Sequence, residues 1–250
     1  LYCTPNGQFP HNLEPLKEHL TDISNLVLEE QADFGIVVDP DVDRLALVSE
    51  DGSMFGEEYT LVACADYVLG RLGGGNTVSN LSSSRALRDV TQKHGGEYTA
   101  SAVGEVNVVI KMKETNTVIG GEGNGGIIYP ASHYGRDSLV GVALFLSHLA
   151  HKKISCKTLR DSYPSYFMSK NKIQLTPEID VDKILESMAT KYKNEDVNTL
   201  DGLKIDFDAQ WIHLRKSNTE PIIRIYTEGT SQQAADDLAV RFINEIKEII

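Results

Sequence analysis

Phe34-Gly35-Ile36-Val37-Val38-Asp39-Pro40-Asp41-Val42-Asp43-Arg44-Leu45-Ala46-Leu47-Val48 sets three carboxylates at alternate positions between two apolar runs. The pattern predicts a strand, a tight acidic loop and a return strand. Three Asp within five residues repel one another, and a hard divalent cation bound through oxygen offsets that repulsion. The loop therefore reads as a metal site formed by Asp39, Asp41 and Asp43. Arg44 adds a planar donor for a phosphate or carboxylate beside the ion. An EF-hand calcium loop is the rival, since Glu50 falls at the twelfth position counted from Asp39. It fails at the sixth, where the sharp turn demands Gly and the chain has Arg44, and its flanks are strand-like. A solvated acidic turn is the other alternative.

Outward from this loop the periodicity changes twice. Upstream, Leu16, Leu20, Ile23, Val27 and Leu28 make an apolar helical stripe, so residues 1–55 hold one helix and two strands, too little for a complete domain. The opening Leu1-Tyr2-Cys3-Thr4-Pro5 lacks an initiator Met, and the chain reads as a fragment of a longer protein. Downstream, residues 56–155 alternate helices and strands: a helix on Leu61 to Leu72 ended by Gly73-Gly74-Gly75, a strand at Thr77 to Leu81, and a helix at Ser84 to His94. A strand near Tyr98, a helix at Glu105 to Glu114, a strand at Val118-Ile119 and a helix at Asp137 to Lys152 follow. This predicts a mainly parallel-sheet α/β domain covered on both faces. Residues 156–169 read as a linker. Residues 170–250 carry a helix on Val181 to Tyr192, three short strands and a closing amphipathic helix capped by Thr230 or Ser231, a small α+β C-terminal domain.

Across 250 residues, Lys+Arg of 24 against Asp+Glu of 36 gives a net charge of −12. With no basic run, nucleic acid and anionic membranes are not expected partners. No apolar run approaches the length of a membrane span and no signal pattern opens the chain, so a soluble, cytoplasmic protein is expected. Cys3, Cys64 and Cys156 lie far apart without a CxxC pair and read as reduced, mostly structural thiols.

Two further loops are candidates for chemistry. Gly120 to Gly126 places five glycines around Glu122 and Asn124, a carboxylate and an amide suited to sugar hydroxyls on a backbone that a ligand can approach closely. A solvated glycine hairpin accounts for the same composition. Arg215-Lys216-Ser217-Asn218-Thr219-Glu220-Pro221, with Arg224 three residues on, gathers cations, hydroxyls and an amide between two strands. In so acidic a chain it reads as a phosphate cradle, against a plain polar hairpin. Ala131-Ser132-His133 has no identifiable orienting acid; His133, Arg136 and Asp137 read instead as neighbours of the glycine loop. Lys111 and Lys113 read as a solvated helix face.

In this order the three loops resemble those of the α-D-phosphohexomutases, the phosphoglucomutase, phosphomannomutase and phosphoglucosamine mutase superfamily. The matching stretches are Asp39 to Arg44, Gly121 to Gly125 and Arg215 to Pro221. The resemblance implies residues 1–55 as the end of the second domain, 56–155 as the third and 170–250 as the fourth. It implies Mg²⁺ on Asp39, Asp41 and Asp43 and a catalytic role for Arg44. It also implies substrate contacts from Glu122, Asn124, Arg215, Ser217, Asn218, Thr219 and Arg224. The partners implied are hexose phosphates, of mannose or glucose, and a hexose 1,6-bisphosphate. The family's Thr-Ala-Ser-His-Asn-Pro-like phosphoserine loop does not occur here, so the chain alone is expected to be inactive. Asn124 and Gly126 depart from the common Gly-Glu-x-Ser-Gly-His form, leaving phosphoglucosamine as an alternative substrate. A non-catalytic cation- or sugar-phosphate-binding module is the competing class.

Overall fold

Strands β1 (Phe34–Val38) and β2 (Leu45–Ser49) pair antiparallel in the register Val38↔Leu45, so the acidic loop is a hairpin turn. Every residue of β2 is buried, while β1 alternates and leaves Ile36 and Val38 exposed. The computed structural model describes residues 1–10, 12–176, 179–217 and 220–249. It divides the chain into two units, Leu1–Pro164 and Ser165–Ile250.

In the first unit α1 (Thr21–Glu29) packs on β1 and β2. Next come α2 (Glu57–Leu72), β3 (Thr77–Asn80), α3 (Ala86–Lys93), β4 (Tyr98–Ser101), α4 (Glu105–Glu114), β5 (Ile119–Glu122), β6 (Gly126–Ile128) and α5 (Ser138–Lys152). The sheet order is β4-β3-β5-β6, with β3 parallel to β4 and β5, and β6 antiparallel to β5. Successive residues of β3 serve opposite faces: Val78 packs with Val108 and Met112 of α4, while the Thr77 hydroxyl bonds that of Thr91 on α3 at 2.6 Å. The expected α/β class, with helices on both faces, is the observed one. Gly73 ends α2 in the left-handed conformation at φ +75°, as the glycine run predicts.

A buried carboxylate that periodicity does not reveal ties this unit together. Asp66 of α2 accepts from His94 Nε2 at 2.7 Å, His148 Nε2 of α5 at 3.1 Å and the Tyr163 hydroxyl at 3.1 Å. Burial alone would raise its pKa, but the hydrogen bonds from His148 and His94, with Lys152 and Lys93 nearby, hold it well below the usual carboxylate range. Cys64 and Cys156 are buried free thiols, and burial pushes them up to about 12 and about 11.

The stretch expected as a plain connector contains α6 (Cys156–Asp161), N-capped by the Ser155 hydroxyl, and the start of β7 (Phe167–Gln174). The second unit continues with α7 (Val181–Lys191), β8 (Asp196–Asn198), β9 (Leu203–Asp206), β10 (Trp211–Lys216), β11 (Ile222–Gly229) and α8 (Gln232–Ile249). Its sheet runs β7-β11-β10-β9-β8, antiparallel throughout. One face carries Ile173, Leu203, Ile205, Ile212, Leu214, Ile223 and Ile225, buried with Ile184 and Met188 of α7 and Phe242 and Ile246 of α8. Ser231 Oγ accepts from Ala234 N at 3.1 Å, so Ser231 rather than Thr230 caps α8.

Candidate functional site

The acidic turn is shaped by its own first residue. Asp39, 7 % exposed, accepts from the backbone N–H groups of Asp43 at 3.1 Å and Arg44 at 3.0 Å through Oδ1. This closes the turn, with Val42 left-handed at φ +59°. One oxygen from each of Asp39, Asp41 and Asp43 falls within a common 4.8 Å. The three therefore fit a small oxygen-liganded cation. Two observations agree with that fit. Asp43 Oδ1 is buried with no hydrogen-bond partner among the described residues, and exposed Asp41 makes no hydrogen bond or ion pair among them. Burial raises the pKa of Asp43, and Asp39 and Asp41 add to the rise while Arg136 opposes it. Arg44 lies along the rim, its Nε 3.4 Å from Asp39 Oδ2 and its Nη1 3.4 Å from Glu14 Oε1.

The glycine loop is a hairpin of β5 and β6, and Glu122 is the last residue of β5 rather than a loop residue. Glu122 is 6 % exposed and its carboxylate is engaged: Oε1 accepts from Asn80 Nδ2 at 2.9 Å and Gly104 N at 3.2 Å, and Oε2 accepts from Arg136 Nη1 at 3.0 Å. Asn124 Oδ1 accepts from Gly126 N at 3.2 Å. The glycines answer to close packing. Gly125 sits at φ +86° against the Leu45 carbonyl, where a side chain would collide, and its own carbonyl accepts from Leu45 N at 3.0 Å. The hairpin is thus hydrogen-bonded to the first residue after the acidic turn.

Arg136 completes the junction. Its Nη2 donates to Asp43 Oδ2, its Nη1 to Glu122 and its Nε to Glu105 Oε2 at 3.2 Å, and its backbone N–H donates to Glu105 Oε1 at 3.2 Å. One guanidinium therefore neutralises carboxylates from three separate stretches of chain. Next to it Asp137 caps α5, accepting from Leu139 N at 2.8 Å and Val140 N at 3.0 Å, while His133 Nε2 lies 2.9 Å from its other oxygen. Ser138 donates to the Val42 carbonyl from both N, at 3.2 Å, and Oγ, at 2.8 Å, fixing the acidic turn to the helix start. His133, Arg136 and Asp137 do sit beside the glycine hairpin. Sequence reasoning missed Asn80, Ser83 and Glu105, and the link from Arg136 to Asp43. The Asn80-Leu81-Ser82-Ser83 turn after β3 was the one available signal, and its Ser83 Oγ accepts from Gly123 N at 3.1 Å.

In the second unit Arg215 of β10 and Arg224 of β11 are direct register partners. Arg215 Nε lies 3.4 Å from Asp201 Oδ2. Ser217, 8 % exposed, donates its N–H to the Ile222 carbonyl at 3.1 Å and accepts from Glu220 N at 3.3 Å through Oγ, holding the ends of the turn together. Asn218 and Thr219 lie outside the described residues. Each unit thus presents its own polar surface: in the first, Asp39, Asp41, Asp43 and Arg44 joined to Glu122 and Asn124; in the second, Arg215, Ser217 and Arg224.

The first unit thus carries a carboxylate cluster that fits a cation, and the second a turn flanked by two register-paired arginines. Three models of one family match the chain in sequence order. Phosphoglucomutase/phosphomannomutase alpha/beta/alpha domain II covers residues 1–52, alpha/beta/alpha domain III residues 56–166, and the C-terminal domain residues 172–245. The chain belongs to the phosphoglucomutase/phosphomannomutase family. A phosphoglucomutase/phosphomannomutase of Thermococcus kodakarensis is 35% identical over 247 residues, 96% of this chain and 54% of that protein. A probable phosphoglucosamine mutase of Methanopyrus kandleri is 30% identical over 253 residues, 100% of this chain and 56% of that protein. The chain spans about half the length of these relatives. Among solved structures, a phosphoglucomutase/phosphomannomutase family protein of Burkholderia thailandensis aligns with TM-score 0.78 at 26% identity, over 92% of this chain and 49% of that one.

Proposed function

We propose that this chain supplies the metal-, sugar- and phosphate-binding parts of a phosphohexomutase, an isomerase that moves a phosphoryl group between O1 and O6 of a hexose. Glucose and mannose phosphates are the substrates of this reading, with a phosphoserine and a hexose 1,6-bisphosphate on the path. The observation that carries it is the Arg136 junction, which makes the acidic turn and the glycine hairpin one polar constellation. Asp39, Asp41 and Asp43 would hold Mg²⁺, which when bound would supply positive charge to the transferring phosphoryl. Arg44, fixed on the rim by Asp39, offers its guanidinium to the same phosphoryl oxygens. Glu122 accepts from and Asn124 pairs with sugar hydroxyls, on a hairpin whose packing fixes their positions. Arg215, Ser217, Asn218, Thr219 and Arg224 hold the phosphate that is not reacting. Phosphoglucosamine is the second reading of the substrate, favoured by the Methanopyrus relative. No helix among the described residues is long and apolar enough to cross a membrane, which is compatible with a cytoplasmic site of action.

Calorimetry with glucose 6-phosphate and with Mg²⁺ tests the reading. Wild type is expected to bind both, and Arg215→Ala to lose at least about tenfold in sugar-phosphate affinity while keeping Mg²⁺. Preference for Ca²⁺ over Mg²⁺ with no hexose phosphate binding would favour the non-catalytic module instead. The 250 residues alone are expected to show no mutase turnover, because no Thr-Ala-Ser-His-Asn-Pro-like loop occurs in their sequence, where Tyr134-Gly135 follow Ser132-His133; measurable turnover contradicts this.

A further inference from the structure

The β7 register extends the cationic surface by one residue. Arg224 pairs with Arg215 on one side and with Lys172 of β7 on the other, so three cations stand in one row across three adjacent strands. Directly paired residues of an antiparallel sheet point to the same face with Cβ atoms about 5 Å apart. That face is not the apolar one, because the flanking Ile223 and Ile225 are buried against α7 and α8. Like charges placed directly opposite destabilise a sheet unless something offsets them. Arg215 has Asp201, but Arg224 and exposed Lys172 have no carboxylate partner among the described residues. The end of β7 is also tied to the turn: Leu175 N donates to the Pro221 carbonyl at 2.9 Å, and Gln174 Nε2 donates to the same oxygen at 3.4 Å. The strand end that follows Lys172 is thereby anchored to the turn at Pro221.

We propose that Lys172 is a third cation of the phosphate-holding surface, contributing its ammonium group to a phosphomonoester dianion alongside Arg215 and Arg224. The inference rests on the reading of the 215–221 turn as the phosphate holder. A dianion offsets the repulsion along the row, and the edge position of β7 gives the long Lys side chain an approach that an inner strand denies. Lys170, two residues earlier on the same face, stacks its Nζ 5.9 Å from the Tyr226 ring centroid and belongs to the next row.

Calorimetric titration of the whole chain with glucose 6-phosphate separates the claims. Lys172→Ala is expected to weaken binding about tenfold, Lys172→Arg to stay within about threefold of wild type, and Lys170→Ala within about twofold. Because Lys172 is exposed, the far-UV circular dichroism melt of Lys172→Ala should match wild type. Full affinity in Lys172→Ala, with the loss in Arg215→Ala retained, overturns the role of Lys172 and leaves the turn as phosphate holder. Equal losses in Lys172→Ala and Lys170→Ala also overturn it, since they report a general field rather than a contact. Failure of wild type to bind overturns both.

Discussion

The polar surface of the first unit sets two arginines, Arg44 and Arg136, among a larger number of acids, and that of the second sets several cations among few acids. In the first, Arg136 serves Asp43, Glu105 and Glu122, and the turn bonds of Asp39 are internal. In the second, Arg215, Arg224 and Lys172 share a row in which only Arg215 has a carboxylate partner among the described residues. The difference teaches what each surface tolerates. The first is vulnerable to losing positive charge, and the second to gaining it; a bound cation relieves one and a bound anion the other.

The largest expected effect comes from breaking the first arrangement. Arg136→Ala leaves partly buried carboxylates without their shared partner and should cost about 3 kcal/mol or more in urea unfolding followed by circular dichroism. Arg136→Lys should recover part of this, since an ammonium cannot replace a fork donating in three directions. A stability within about 0.5 kcal/mol of wild type for Arg136→Ala would show that the junction is not a structural tie.

Acid acts on the second unit through a buried histidine. Burial pushes His213 down to about 4 from 6.5, and its ring Nε2 lies 2.6 Å from the Asp201 carbonyl. The unfolded chain therefore takes up a proton that the folded chain refuses, and the stability held above pH 6.5 is lost as pH falls toward 4. The slope should be about 1.4 kcal/mol per pH unit. Emission of Trp211, the one tryptophan and fully buried in β10, follows this unit. The slope should flatten in His213→Gln, and a wild-type transition independent of pH over this window would contradict the account.

The smallest effect on stability sharpens the contrast. Removing one member of the cationic row in Arg224→Ala should leave stability unchanged or raise it by up to about 0.5 kcal/mol, while weakening glucose 6-phosphate binding about tenfold. A marked loss of stability would mean that Arg224 has a structural partner instead.

Much of this was legible in the chain. Alternation around Asp39 to Arg44 announced the hairpin, and strand-helix alternation announced the sheet, because both are local signals. The partnership of Arg136 with Asp43 was not, since the two lie 93 residues apart and an arginine carries no mark of which carboxylate it will meet. Asp66 was hidden for the same reason: it falls within an apolar helix, and its partners His94, His148 and Tyr163 are 28, 82 and 97 residues away. Lys172 fell in the C-terminal domain but in no expected strand, because β7 is an edge strand whose Lys170, Asn171, Lys172 and Gln174 blur the period-two pattern. Only the register revealed its row.

Asp41 offers the most direct test of the central claim, that the first surface holds a divalent cation. It is exposed and makes no hydrogen bond or ion pair among the described residues, so its removal has no structural cost to confuse the result. Calorimetric Mg²⁺ titration should show wild-type binding weakened at least about tenfold in Asp41→Ala with an unchanged melting transition. Equal Mg²⁺ affinity in the two proteins would contradict the account.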